Sequence, residues 1–294
     1  MTRFAPVLAA LFACGGDDGA MNPDGGGDGS NGSGDGGGCM RPALDQPWLS
    51  GLVSGVVTQL ASAPRYLTTE RQAARTYLSN QLTQMGWTPQ LHNYATGANV
   101  YATIPSTTGA TKQIIVGAHY DTVQFSPGAS DNATGCAAVM ALARYLKDMT
   151  CRNAVITIVF FDEEEAGLFG ARAFAQTLSP ANVLAVHTID QVGWDSDNDK
   201  RFEIELPTTT LETEYRAAAS VVGVPVTRTS TQGTDHEAFR DLGFAAVGIS
   251  EEYVGGDTSP ERHKTTDTAN TVTFSYNELA AKLAAQVVMT EAAP

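Results

Sequence analysis

The chain has 294 residues, 43% of them hydrophobic, and a formal net charge of -14. That length suits one large domain or two small ones, with enough apolar residues for a sizeable core. The acidic balance excludes a nucleic-acid partner, because gripping phosphates needs a basic face.

The first segment reads as an export signal. Met1-Thr2-Arg3 is a minimal basic start, and Phe4 to Ala13 is an apolar run too short to span a bilayer. Residues 1–13 are therefore assigned as a signal peptide. Leu11-Phe12-Ala13-Cys14 resembles the processing site of bacterial lipoproteins, with Cys14 as the lipidated residue. Residues 14–38 are dominated by Gly and Asp and cannot bury a core, so they read as a flexible, lipid-anchored linker. The irregular carboxylate spacing there argues against a calcium loop. The expected location is the bacterial cell envelope, as an anchored lipoprotein or a secreted protein. Any membrane contact would run through the lipid anchor alone.

Four cysteines occur. Export permits disulfides. Cys39 and Cys151 both flank predicted elements and form the plausible pair, while Cys136 lies inside an apolar helix and reads as a buried thiol.

The folded part, residues 39–294, alternates helices and strands. Gln46 to Ala63 carries apolar residues at helical spacing. Thr68 to Met85 is a second helix, with Thr69 as candidate N-cap and Gly86 past its end. Gln90 to Tyr94 and Asn99 to Ile104 read as antiparallel strands, and Gln113 to Ala118 as a buried central strand. Asp131 to Lys147 is helical, and Ala154 to Phe161 is an apolar strand buried on both faces. Then come a helix over Gly167 to Leu178, a strand over Val183 to Ile189, a strand over Arg201 to Leu206, a helix over Thr210 to Val222 and a short strand over Val224 to Thr227. A short helix over Asp235 to Asp241, a strand over Ala245 to Ile249 and a helix over Asn277 to Thr290 close the chain. This alternation predicts an α/β fold with a mixed, mostly parallel central sheet flanked by helices.

Imidazole and carboxylates recur where these strands end. His119 and Asp121 follow the central strand, Asp131 opens the next helix, Asp162-Glu163-Glu164-Glu165 follows Phe161, and Asp190 follows Ile189. Each has an ordinary reading by itself: a hydrogen-bonded core histidine, a helix N-cap, a solvated acidic turn. The four consecutive acids are the hardest to read that way, since they repel one another unless cations neutralise them. Together the groups match what a divalent metal with nitrogen and oxygen ligands requires. Asp121 can accept the second ring N–H of His119 and fix its tautomer. No His-Glu-x-x-His helix, nucleophile elbow, phosphate loop or dinucleotide fingerprint occurs.

Six stretches then occur in order: Gly117-Ala118-His119-Tyr120-Asp121, Gly128 to Gly135, Glu164-Glu165-Ala166-Gly167-Leu168-Phe169-Gly170, Ile189-Asp190-Gln191-Val192-Gly193, Thr234-Asp235-His236 and His263 to Thr268. Together, from about Leu60 onward, they resemble the di-zinc aminopeptidases of the bacterial leucyl-aminopeptidase type, peptidase family M28. The resemblance implies a zinc-exopeptidase-like α/β/α sandwich with two Zn2+ per chain. It implies that His119 and Asp190 hold one metal, Glu165 and His263 the other, and Asp131 bridges both. Glu164 takes the position of the general base, Asp121 orients His119, and Asp235 lies beside the ligands without binding metal. Glu163 and His236 have no metal role in that scheme.

The implied activity is hydrolysis of the N-terminal peptide bond of peptides by a monomeric enzyme. Related enzymes carry a Tyr near the last ligand that stabilises the oxyanion. Arg262 stands there in this chain, so Arg262 and Tyr253 are the candidate oxyanion donors. The alternatives on the same fold are a carboxypeptidase, a glutaminyl cyclase-like acyltransferase and a binding module without catalysis. The absence of an inserted lid domain, two complete metal sites and a full set of five ligands weigh against them in turn.

Overall fold

The computed structural model describes residues 39–294. The expected signal peptide, Cys14 and the Gly/Asp-rich linker lie outside the described residues.

Eight strands form one sheet. In chain order they are β1 (Gln90–Asn93), β2 (Ala98–Ile104), β3 (Gln113–His119), β4 (Val155–Phe161), β5 (Val183–Ile189), β6 (Phe202–Glu205), β7 (Val226–Thr229) and β8 (Ala246–Ser250). Their spatial order is β1-β2-β4-β3-β5-β8-β6-β7. The central pairs β4–β3, β3–β5 and β5–β8 are parallel, whereas β1–β2, β2–β4 and β6–β8 are antiparallel. β3 and β4 are apolar on both faces because both faces are covered by helices.

The helices are α1 (Leu49–Leu60), α2 (Thr68–Gln84), α3 (Thr134–Asp148), α4 (Phe169–Ala175), α5 (Thr209–Val222), α6 (Asp235–Arg240) and α7 (Phe274–Glu291). α1 buries Leu49, Val53, Val56, Val57 and Leu60, one stripe at helical spacing. α3 is buried over almost its whole circumference, since the sheet covers one side and α1 and α7 the other. The larger apolar core lies on that face of the sheet. A smaller one, built on Ile115, Val159, Phe161, Phe174 and Phe239, lies under α4 and α6 on the opposite face. The result is the three-layer α/β/α sandwich expected from the alternation.

Element ends differ from expectation for local reasons. α2 starts at Thr68 without a Thr69 cap. The Glu70 side chain instead accepts from the Leu67 N–H (2.8 Å) and the Tyr66 N–H (3.1 Å), satisfying donors that a helix start leaves open. α3 starts at Thr134, three residues later than expected. Asp131 and Asn132 before it have non-helical backbone angles, and Asn132 Oδ1 accepts from the Gly135 N–H at 2.8 Å. Asn132 does the capping that the sequence suggested for Asp131, and the Asp131 carboxylate is left free.

Chain order explains where a site can form. From β3 the chain crosses through α3 to β4 on one side, then through α4 to β5 on the other. The carboxyl end of β3 is therefore a switch point, the place where a parallel sheet opens a crevice.

Cys39 is paired with Cys151, their Cα atoms 5.2 Å apart and 112 residues separating them in sequence. Cys136 is a buried free thiol. Closing so long a loop stabilises by about 3–5 kcal/mol in the chain-entropy description. The Cys39→Ser, Cys151→Ser double variant is accordingly expected to unfold at lower denaturant than wild type. An unchanged midpoint would mean that the bond contributes nothing.

Candidate metal centre

The site is assembled at the carboxyl ends of β3, β4 and β5, with loops from α3 and the C-terminal region closing over it. β3 ends on His119, which is 1% exposed. Its Nδ1 lies 3.4 Å from Asp121 Oδ1, so Nε2 faces the crevice. The two Asp121 oxygens also accept from the backbone N–H groups of Glu164 (3.0 Å) and Glu165 (3.2 Å). One carboxylate thereby orients the histidine and positions both glutamates.

Asp131 is held in the same manner. The N–H groups of Ser130 (2.8 Å) and Asp131 (3.2 Å) donate to Asp267, whose side chain is fully buried. Asn132 ties this loop to the end of β5, donating to Ile189 O (2.8 Å) and accepting from the Gln191 N–H (3.2 Å). A Cβ at Gly135 would approach both Asn132 Oδ1 and Ile189 O to 2.3 Å, so only glycine permits this closeness. Asp190 follows directly.

Two clusters result. Nitrogen and carboxylate oxygens of His119, Asp131 and Asp190 lie within 4.8 Å of one another, as do those of Asp131, Glu165 and His263. Asp131 belongs to both: Oδ1 is 3.3 Å from His119 Nε2, and Oδ2 is 3.0 Å from His263 Nε2. Glu165 Oε2 is 3.1 Å from His263 Nε2, whereas Glu164 Oε2 sits 3.9 Å from His119 Nε2. The adjacent glutamates thus serve opposite sides of the crevice. Asp131 Oδ1 and Glu165 Oε1 are buried without a hydrogen-bond donor. Buried carboxylate oxygens without donors are costly, and a divalent cation is the partner such a donor set fits. His/Asp/Asp and His/Glu/Asp sets suit zinc.

The run of four acids divides in two. Asp162 pairs with Arg75 (2.8 Å) and Arg71 (3.4 Å), and Glu163 pairs with Arg71 (2.9 Å). Guanidinium groups from α2 neutralise the first two acids, and Glu164 and Glu165 face the crevice.

The titration of the site follows from this crowding. Burial pushes the Glu164 carboxyl well above its usual value; His119 opposes that, and the charges of Asp190, Asp235 and Glu165 add to it. Burial alone would depress the His119 imidazole, but Asp190, Glu164, Asp121 and Asp131 push it well up. Hydrogen bonds to Asp131 and Glu165 push the His263 imidazole up to about 9. Burial alone would raise Asp131, yet His119, His263 and Arg262 beside it hold it well below the carboxylate range. Both imidazoles are thus driven toward their protonated forms in the metal-free site, and a metal would have to displace those protons. Zinc binding is expected to release protons below pH 9. Apparent affinity should weaken as pH falls, about tenfold per pH unit for each proton displaced. Calorimetric titration in buffers of different ionisation heat measures this, and a buffer-independent heat would contradict it.

His119, Asp121, Asp131, Glu164, Glu165, Asp190 and His263 meet here. Asp235 is buried at the start of α6, close enough for its charge to act on Glu164. Arg262 Nε lies 3.2 Å from Asp131 Oδ2, and its guanidinium stacks 5.6 Å from the Tyr253 ring. His236 is buried away from both clusters, its Nδ1 2.7 Å from Thr234 Oγ1. Sequence reading missed three supports. Asp267 and Asn132 hold the Asp131 loop. Arg65, 2% exposed, donates to the carbonyls of Leu60, Tyr120, Pro127 and Gly128 and fixes both chain segments that frame the ligands. Asp267 lies inside a quoted motif and Asn132 beside a predicted ligand, so position was the available signal for these two. Arg65 offered none.

Comparison with known proteins agrees with this geometry. The family model described as Peptidase family M28 matches residues 99–288. Aminopeptidase YwaD of Bacillus subtilis is 31% identical over 158 residues, covering 50% of this chain and 33% of the relative. The chain thus matches about a third of that protein's length. The fold is shared with the LapA aminopeptidase of Legionella pneumophila (TM-score 0.76, 20% identity, 83% of this chain and 72% of the other). It is also shared with the glutaminyl cyclase of Porphyromonas gingivalis (TM-score 0.68, 18% identity, 82% and 98%). With the matching region spanning most of the sheet and both clusters, the chain belongs to peptidase family M28.

Proposed function

We propose that the protein is an exported metallo-aminopeptidase that binds two zinc ions and cleaves the N-terminal peptide bond of peptides. The observation that carries this reading is the position of Asp131, whose two oxygens face the two histidines from a shared centre. Only a carboxylate can offer one oxygen to each of two cations. His119 and Asp190 would complete one site, Glu165 and His263 the other.

Bound zinc would supply a Lewis acid for the scissile carbonyl and a water of lowered pKa. The remaining work falls to side chains. Glu164 would take the proton of the attacking water and return it to the leaving amine, a role suited to a carboxyl whose pKa lies above the usual range. Asp121 holds the Glu164 backbone and the His119 ring at once, so base and ligand keep a fixed relation. Arg262 donates to Asp131 and lies over the Tyr253 ring, and either side chain would be the donor to an oxyanion in this reading.

The test compares a free peptide, its N-acetylated form and an N-terminal glutaminyl peptide, with zinc measured on the same sample. Hydrolysis of the free form alone with two zinc ions supports the proposal. Cyclisation of the glutaminyl peptide favours acyl transfer instead. Release of the last residue favours a carboxypeptidase. Export is tested separately: the Cys14→Ser form should leave the membrane fraction, and a wild-type protein that is wholly soluble would count against the lipid anchor.

A further inference from the structure

A small cavity of about 60 Å3 opens beside Asp190 and Arg262. It is bounded by the β5 end, the β6 end, the loop before α6 and the segment after β8. Its walls are unusual for a peptidase side-chain pocket. Ligand pockets are mostly lined by apolar residues, yet none of the residues lining this one is aliphatic.

Gln191, next to Asp190 in sequence, is 6% exposed, and its Oε1 is buried with no hydrogen-bond donor. Glu205, 1% exposed, also lines the cavity and accepts from the Ser250 hydroxyl (2.9 Å) and the Thr234 hydroxyl (3.1 Å). Both hydroxyls also line the cavity. The wall is therefore rich in acceptors and rotatable hydroxyls, and it carries one acceptor with nothing to accept. An aliphatic side chain entering it would leave Gln191 Oε1 dry and unpaired, at a cost that a hydrogen-bonding side chain avoids.

We propose that this cavity receives the side chain of the substrate's N-terminal residue and selects a short hydrogen-bond donor, such as that of threonine, serine or asparagine. The inference rests on the aminopeptidase reading, because the cavity adjoins the cluster that would bind the terminal residue. Its volume leaves room for only a few heavy atoms, which disfavours lysine, arginine and aromatic side chains. Gln191 is the specificity-determining residue, and Glu205 with Thr234 and Ser250 supplies the polar wall.

Near-isosteric pairs decide the matter, since size is then held almost constant. The zinc-loaded protein is assayed on Thr-Ala-Ala against Val-Ala-Ala and on Asn-Ala-Ala against Leu-Ala-Ala. The polar member of each pair should show kcat/KM higher by about 10-fold or more. Gln191→Leu should abolish or reverse the preference while hydrolysis continues. Binding of free L-threonine and L-valine to the same samples is measured by calorimetry, which needs no turnover. Threonine should bind more tightly to wild type, and the difference should vanish in Gln191→Leu. If valine and leucine peptides are preferred, or if Gln191→Leu leaves the ratios unchanged, the pocket inference is overturned and the aminopeptidase reading stands. If no peptide is cleaved but threonine binds better than valine, the activity reading fails and the pocket stands. If a lysine peptide is the best substrate, the proposed size limit is wrong and the inference falls.

Discussion

Replacing Glu164 by Ala is expected to slow peptide hydrolysis by about 10²–10⁴-fold, the usual contribution of a positioned acid–base group. Two metal ions should remain bound. The reason is geometric. Glu164 reaches the His119 side of the crevice at 3.9 Å, beyond contact distance, and its backbone is anchored through Asp121 independently of its carboxylate. The neighbouring change, Glu165→Ala, removes the group 3.1 Å from His263 and should lose one metal. Metal content measured beside the rate constant separates the two. Should Glu164→Ala lose a metal while Glu165→Ala keeps both, the assignment is off by one residue. Glu163 would then need a new account, although it is engaged by Arg71 at 2.9 Å.

A larger effect is expected at Asp131. Asp131→Ala takes a carboxylate from both clusters and leaves His119 and His263 without their shared partner. Zinc content should fall from two per chain toward none, and hydrolysis should drop to the level of metal-free protein. Asp131→Asn keeps the shape but offers a single neutral oxygen, so it should retain one ion at most. The control is Asp267→Asn. It leaves every ligand in place and weakens only the two backbone contacts under the Asp131 loop. If Asp131→Ala still bound two zinc ions, the shared-carboxylate arrangement would be wrong and the two clusters would be independent sites.

Much of this architecture was readable in the sequence because its strands announce themselves. Ile114-Ile115-Val116 and Ile156 to Phe161 are apolar on both faces, and such strands occur only between two helical layers. The groups that follow those strands necessarily meet at one edge of the sheet, so His119, Glu164, Glu165 and Asp190 could be placed without coordinates. Contacts made far along the chain were not readable. Arg71 and Arg75 carry no local signal of their role, yet they neutralise Asp162 and Glu163 about ninety positions later. The capping bond of Asn132 was hidden for a different reason. Asp and Asn suit a helix start equally well, and which of two neighbours takes the role depends on where the other carboxylate is needed. The polar cavity was equally invisible, since loops from four elements build it and none has a periodic signal.

The division of the acidic run has a consequence for how the protein behaves when its metals are taken away. Two of the four acids carry counter-ions that belong to the chain and cannot diffuse off. Of the other two, Glu165 is the proposed metal ligand and Glu164 the proposed base. A chelator would leave the Asp162 and Glu163 ion pairs untouched, and the α2 guanidinium groups would continue to clamp this strand end. If the protein holds metal as proposed, stripping it should act as a reversible off-switch and not as denaturation, so that adding zinc back restores hydrolysis without a refolding step.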